Sequence, residues 1–195
     1  MPNLKQLGIH LHGGLEKNYR EFYCLHNLVR LESLSIQAGD LSLKKFTFRT
    51  SLLELCLEGC VFPSKMMRTI GSVLPNLESF ELKSCRAEEG GNWDQFESEF
   101  PRLEVLIISC SEVNWWRTEN ILFPNLETLI LHFMLRLKEI PAVIGDILTL
   151  HSIHLKSCND SLMESAKQIV EEQHNNGNES LQLYVNKVKY QVGSF

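Results

Sequence analysis

The 195-residue sequence lacks an excess of basic residues and any long apolar run. Lysine and arginine number 19 against 24 aspartates and glutamates, a net charge of −5, which disfavours a protein that binds nucleic acid through its phosphates. No run of about 18 apolar residues occurs, so no membrane-spanning helix is predicted. The first residues also lack the basic and apolar regions of a secretory signal, and none is expected.

Sequence signatures of catalysis and of cofactor binding are missing as well. The sequence has no G-x-x-x-x-G-K-[ST] loop to hold phosphates, no H-E-x-x-H and no G-x-S-x-G. Histidine pairs such as His10 and His12 have no carboxylate or cysteine placed to complete a metal site. The sequence therefore predicts a protein that is not an enzyme and that holds no cofactor and no metal.

What the sequence does contain is an internal repeat. A leucine-rich hexamer of the form L-x-x-L-x-L, with Ile or Phe at some later positions, starts at Leu4, Leu31, Leu52, Leu77, Leu103, Leu126 and Leu150. These starts lie about 24 residues apart on average, which is typical of leucine-rich repeats. Because a fortuitous core pattern does not keep its phase over seven units, the sequence predicts an α/β leucine-rich repeat solenoid, or horseshoe.

Each repeat is expected to supply one short strand and a return segment of loop, 3₁₀ turn or short helix. The strands should stack into a concave parallel sheet of at least six strands, with their leucines turned into the coil. The middle apolar positions then form one buried row: Leu34, Leu55, Phe80, Leu106, Leu129 and Ile153. The repeats, about seven units, are assigned to a domain of residues 1–158.

Residues 159–195 break the repeat and are predicted to form a C-terminal cap of a helix and a strand. Ser161 and Glu164 form a capping-box pattern at the start of the helix, and Gly177 marks its end. Apolar residues recur at helical spacing between these signals: Leu162, Ala166, Ile169 and Val170. A strand follows from Leu181 and is expected to continue loosely to Tyr190.

Three of the six cysteines occupy one repeat position. Cys60, Cys85 and Cys158 each follow the last strand leucine by three residues, where an inward thiol can satisfy backbone groups of the turn. Disulfides or a zinc site are the alternatives, but no C-x-x-C pair occurs and equivalent positions lie on successive coils. We predict buried, reduced and unpaired thiols, and hence a cytoplasmic protein.

Two stretches resemble a known family. Phe123-Pro-Asn-Leu-Glu-Thr-Leu-Ile-Leu131, followed by residues 137–147, is similar to the last repeats of plant intracellular nucleotide-binding, leucine-rich repeat (NLR) immune receptors. The tail from Ser165 to Leu183 is similar to the end of coiled-coil-class receptors from nightshade relatives, which include late-blight resistance and helper-type proteins. The resemblance implies a C-terminal domain with sensor and autoinhibitory roles in plant immune defence.

The resemblance also implies the partners. In this family the leucine-rich surface holds the receptor's own nucleotide-binding module inactive and receives a signal from a pathogen effector or a host protein. The alternative is the substrate-recruiting part of an F-box ubiquitin-ligase adaptor, since plant adaptors of that kind use similar F-P-N-L-x-x-L-x-L strands. An F-box would distinguish the two, and none occurs in this sequence.

Protein binding is expected on the side chains between the leucines, which point out of the concave face. In the fifth and sixth repeats these include an apolar patch, which solvated strands rarely present unless a partner covers it. Ordinary local packing is the alternative explanation. The residues predicted to bind protein are Glu104, Ile107, Glu127, Ile130, His132, Phe133 and His154.

A secondary protein-binding surface is predicted on the return side of the repeats. Residues 86–100 and 111–122 carry all three tryptophans, Trp93, Trp115 and Trp116. Tryptophan is enriched at binding hot spots, although a large ring can also simply fill an irregular outer coil.

Overall fold

The computed structural model describes residues 3–11, 28–42, 48, 50–62, 70–87, 92–93, 99–109, 112–116 and 122–193. The strands are β1 (Gln6–Leu11), β2 (Ser33–Ser42), β3 (Glu54–Phe62), β4 (Ser79–Lys83), β5 (Arg86–Ala87), β6 (Asn92–Trp93), β7 (Val105–Ser109), β8 (Trp115–Trp116), β9 (Thr128–His132), β10 (Ser152–Lys156), β11 (Gln182–Val185) and β12 (Val188–Lys189). A 3₁₀ turn spans Ala142–Ile144, and helix α1 spans Asp160–Asn175.

The strands stack as a parallel-strand solenoid. In the part of the chain that the structure describes, ten strands form one sheet in the order β1-β2-β3-β4-β7-β9-β10-β11-β12, with β5 continuing beside β3. Neighbouring strands of this path are parallel except for the last pair, β11 and β12. β6 and β8 form a separate two-stranded parallel sheet. The leucine-rich solenoid predicted from the repeat is confirmed.

The buried row of middle apolar positions is also confirmed. The register joins Leu34, Leu55, Phe80, Leu106, Leu129 and Ile153 across six neighbouring strands. Each of these side chains is at most 2% exposed, because alternate residues of a strand point to the same face and this face is the core. In β1, Leu7 occupies the same row but is only half-buried.

In several repeats a left-handed residue lies two positions after the last strand leucine. Positive φ angles occur there at Gly59 (67°), Ser84 (50°), Phe133 (53°) and Ser157 (52°). At Gly59 a glycine is required, since an added Cβ would lie 1.9 Å from the Ala38 carbonyl oxygen. Gly59 lies within β3, whereas the other three residues directly follow the ends of their strands.

The thiols at the repeat position stabilise these turns, as predicted. The Cys85 thiol donates to the Leu57 carbonyl at 3.2 Å, and the Cys158 thiol donates to the Leu131 carbonyl at 3.3 Å, each on the preceding repeat. The thiols of Cys60, Cys85 and Cys158 are free. Cys60 and Cys85 are buried, but Cys158 is only half-buried because its repeat is followed by α1 rather than by another full coil. Burial raises the pKa of the Cys158 thiol.

Helix α1 begins two residues earlier than the capping-box pattern suggests. Asn159 is the N-cap and accepts a hydrogen bond from the Leu162 amide at 2.9 Å, so the predicted cap at Ser161 is wrong. The Asn159 side chain also donates to the carbonyls of Met134 (3.1 Å) and Leu137 (2.7 Å). A capping side chain that satisfies two carbonyls of the preceding repeat is favoured over Ser161, which lies inside the helix.

The buried face and the end of α1 agree with the prediction. Its buried residues are Leu162, Ala166, Ile169 and Val170. The helix ends at Asn175, and Gly177 follows with a φ of 87°.

The final strand does not run on to Tyr190 as predicted. Asn186 and Lys187 both have positive φ angles (49° and 71°), and this two-residue turn reverses the chain into β12, antiparallel to β11. After the reversal, the Tyr190 amide donates to the Leu183 carbonyl at 2.8 Å. The division into domains of 1–158 and 159–195 stays a prediction.

Candidate protein-binding face

The side chains between the leucines form three rows along the concave face. The central row joins, in register, Gly8, Ser35, Cys56, Glu81, Ile107, Ile130, His154 and Tyr184. A second row near the strand ends joins His10, Gln37, Glu58, Lys83, Ser109, His132 and Lys156. The third row precedes the strands and includes Glu78, Glu104 and Glu127, linked by backbone hydrogen bonds of 2.8–2.9 Å.

The concave face of the first strands is polar, and its side chains pair with one another. Lys5 forms an ion pair with Glu32 at 2.8 Å. Gln37 bonds to the His10 ring at 2.6 Å and donates to Glu58 at 2.9 Å. On β4, Lys83 pairs with Glu81 within the strand at 2.8 Å. This part of the surface satisfies its own hydrogen bonds.

The central row carries isoleucines on β7 and β9, followed by His154 on β10 and Tyr184 on β11. Ile107 and Ile130 are neighbours in register and are half-buried. Phe133 follows β9 in the left-handed turn and is 44% exposed. We call five residues of this region the concave patch: Ile107, Ile130, His132, Phe133 and His154. The register thus places Ile107 beside Ile130, and Phe133 directly follows the strand that carries Ile130.

Tyr184 extends this surface and was missed by the sequence reasoning. Its ring stacks on His154 with 4.6 Å between centroids and 7° between planes. The Tyr184 hydroxyl donates to Gln182 at 2.7 Å, and the His154 Nε2 lies 3.1 Å from the Ser152 hydroxyl. Counting the last strand as one more repeat strand, rather than only as a cap, would have placed Tyr184 beside His154.

The two histidines of the concave patch carry little charge at neutral pH. Burial lowers the pKa of His154 and of His132 from the ordinary value of 6.5. Lys156 and His154 lower the pKa of His132 further, and Glu81 opposes them. Since imidazoles with such pKa values are mostly neutral at pH 7, charge near the patch comes from Lys156 on one side and the glutamates on the other.

The acidic side of the patch is exposed. Glu104 and Glu127 lie at the surface and, with Glu78, line a shallow pocket of about 280 Å³ beside Arg102. The backbone ladder keeps these carboxylates on successive coils, where they line this pocket together with Arg102.

The tryptophans occupy different environments. Trp116 is 1% exposed and packs edge-on against Phe123 at 6.3 Å, so it is a core residue rather than a surface for a partner. Its Nε1 is buried and has no hydrogen-bond partner among the described residues. Trp115 is half-buried, with the Lys138 ammonium 5.4 Å from its ring centroid. Trp93 lies in β6 beside β8, and its side chain is outside the described part.

The described residues contain no metal-binding cluster. Among the described residues, no group of three or more His, Cys, Asp or Glu side chains could hold a metal ion. In the same residues, no helix is long and apolar enough to cross a bilayer.

Comparison with known proteins identifies relatives in Solanum demissum. The chain is 31% identical over 156 residues to the late blight resistance protein homolog R1B-23, and 33% identical over 171 residues to a second late blight resistance protein homolog of the same species. These alignments include 78% and 86% of the chain. No family model matches. Over most of its length, the chain is similar to late blight resistance protein homologs.

The chain spans only a small part of the relatives that it matches. It spans 12% of R1B-23, 22% of the second homolog and 15% of R1B-13, a further homolog that is 31% identical over 174 residues. The resemblance to plant disease-resistance receptors is confirmed, and the F-box adaptor alternative is not favoured.

Proposed function

We propose that this chain is the sensor and autoinhibitory leucine-rich part of a plant resistance receptor. The concave patch binds the receptor's own nucleotide-binding module and keeps it inactive until a pathogen effector or a host protein intervenes. The role is one of protein interaction in the cytoplasm, without catalysis and without a cofactor. The resistance-protein relatives and the character of the concave face support this proposal.

The observation that carries the proposal is the change in the central row. Upstream, concave polar side chains bond to one another, as Gln37 does to Glu58. In the fifth and sixth repeats, Ile107, Ile130 and Phe133 replace them on a surface that solvent reaches. Such a patch lowers the free energy of a complex when a partner removes it from water. The acidic edge at Glu104 and Glu127 adds selectivity through charge.

The decisive experiment places negative charge in the concave patch. The double variant Ile130→Glu, Phe133→Glu removes the apolar contact and adds two negative charges to this surface. We expect the chain to lose co-precipitation with its nucleotide-binding module. A full receptor that carries both changes should trigger cell death without a pathogen signal.

A matched control carries the same charge in the polar part of the same row. Gly8→Glu with Ser35→Glu adds two carboxylates there, and a side chain at Gly8 meets no atom within 4 Å. The control chain should still bind the nucleotide-binding module, and a full receptor that carries both changes should not trigger cell death. Retained binding by the Ile130 and Phe133 variant, together with a silent receptor, would contradict the proposal. The interface would then move to the Trp115 surface, where Lys138 lies over the Trp115 ring and lines a groove of about 800 Å³ beside α1.

A further inference from the structure

Phe133 occupies a backbone position that suits small residues. Where the structure describes the left-handed turn after a repeat strand, the other occupants are Gly59, Ser84 and Ser157. A bulky side chain at a φ of 53° is disfavoured, because its Cβ approaches the neighbouring carbonyl oxygen. Residues kept in such conformations concentrate at binding sites, where the contact made by the side chain outweighs the strain.

The fold itself does not require an aromatic ring at this position. The contribution of Phe133 to the turn is its amide, which donates to the Lys156 carbonyl at 2.8 Å, and Ser84 makes the same backbone bond to Ser109 at 2.8 Å. The next residue, Met134, is fully buried and belongs to the core. The Phe133 ring is 44% exposed, and Leu135 beyond it is 70% exposed.

Lys156 lies beside this ring and supplies positive charge next to the concave patch. Its ammonium is 5.7 Å from the Phe133 centroid, a cation–π contact. Within the described part of the chain, Lys156 makes no ion pair, whereas Lys83 of the same row pairs with Glu81. A partner that covers the ring would also desolvate this ammonium, so a carboxylate on the partner is needed next to it.

We infer that Phe133 is the strained anchor of the concave patch, and that its partner segment offers an apolar pocket flanked by a carboxylate. The pocket receives the Phe133 ring, and the carboxylate pairs with Lys156. The inference rests on the proposed function, because the segment is assigned to the nucleotide-binding module. At protein interfaces a few residues packed in desolvated pockets supply most of the binding free energy.

The strain is tested first, without any partner. Phe133→Ala and Phe133→Gly both remove the ring, but glycine relaxes the left-handed backbone. The glycine variant should therefore melt about 2–4 °C above the alanine variant. Ile130, in the extended β9, provides the control: there the alanine variant should melt higher than the glycine variant. If Phe133→Ala melted at a higher temperature than Phe133→Gly, the inference of a strained backbone at this position would be wrong.

Binding to the nucleotide-binding module is tested with the same variants. Both should bind about tenfold more weakly or worse, as expected on loss of a hot-spot residue. Ser84→Ala, at the equivalent turn of another repeat, should bind normally. Lys156→Gln should also weaken binding, and its remaining affinity should fall less steeply as salt is raised, because the ion pair is gone.

The results separate the anchor from the proposed function. If the Ile130→Glu, Phe133→Glu chain loses binding but Phe133→Ala keeps it, the concave patch binds and the anchor inference is wrong. If the double variant keeps binding, the proposed function fails. If Lys156→Gln left the salt dependence of binding unchanged, the inferred ion pair with a carboxylate of the partner would be wrong.

Discussion

The concave face has two unlike halves on one continuous core. Along β1 to β4 the outward side chains are polar and bond to each other, as in the series from His10 through Gln37 to Glu58. Along β7 to β11 the central row carries isoleucines and then stacked rings, while a polar series joins the neighbouring Thr128, Ser152 and His154. The inward leucine rows are the same in both halves, so the repeat specifies the scaffold while the residues between its leucines are free to specify a surface.

Gln37 in the first half and Asn159 in the second half differ in the exposure of their hydrogen bonds. The bonds of Gln37 are exposed to solvent. The bonds from Asn159 to the carbonyls of Met134 and Leu137 are partly buried. Because water competes more strongly for exposed partners than for buried ones, loss of Asn159 should destabilise the protein more than loss of Gln37.

The largest expected effect comes from the shared leucine row. Leu129→Ala leaves a cavity at a fully buried site in β9 and should lower the free energy of unfolding by about 2–5 kcal/mol in denaturant melts. Leu7→Ala, in the same row of β1, removes a half-buried side chain and should cost less than about 2 kcal/mol. Equal losses at the two sites would show that burial in this row does not determine its contribution.

The next effect concerns the partly buried hydrogen bonds. Asn159→Ala removes the N-cap of α1 and leaves two carbonyls without their donor, so it should cost about 1–3 kcal/mol. Ser161→Ala, at the residue that the capping-box pattern selects, should change stability by less than about 0.5 kcal/mol. The same melts check both. A larger loss in the Ser161 variant would restore the capping box and contradict the observed cap.

The smallest effect is expected in the polar half. Gln37→Ala breaks the exposed bonds to His10 and Glu58 and should cost no more than about 1 kcal/mol. It should also leave binding of the nucleotide-binding module unchanged, which co-precipitation can measure. If this variant weakened binding as much as Phe133→Ala does, the functional difference between the two halves would disappear.

The sequence predicts those features that depend on period alone. The regular spacing of the leucines over seven repeats is enough to align Leu34 with Leu55 and Phe80. The same alignment places Ile107 beside Ile130. Helical spacing is enough to identify the buried face of α1. These are consequences of strand and helix geometry, and no tertiary information is needed to obtain them.

Features decided by long-range contacts could not be obtained in this way. Asn159 is the cap because it reaches Met134 and Leu137 in the preceding repeat. Trp116 is a core residue because of how its strand packs against Phe123, which its irregular neighbourhood in the sequence does not reveal. The left-handed backbone of Phe133 follows from its repeat position, but only the structure shows that this position has a positive φ.

The closing hairpin has a consequence for self-association. An open edge of a parallel sheet exposes unpaired amides and carbonyls, to which a strand of another molecule can add. Here β12, which is only two residues long, covers part of the β11 edge. Lys187 precedes β12, and the exposed Lys189 ends it. A strand from a second molecule would meet a short, charged border and find few groups to pair with. At this end, the sheet is therefore protected against edge-to-edge aggregation.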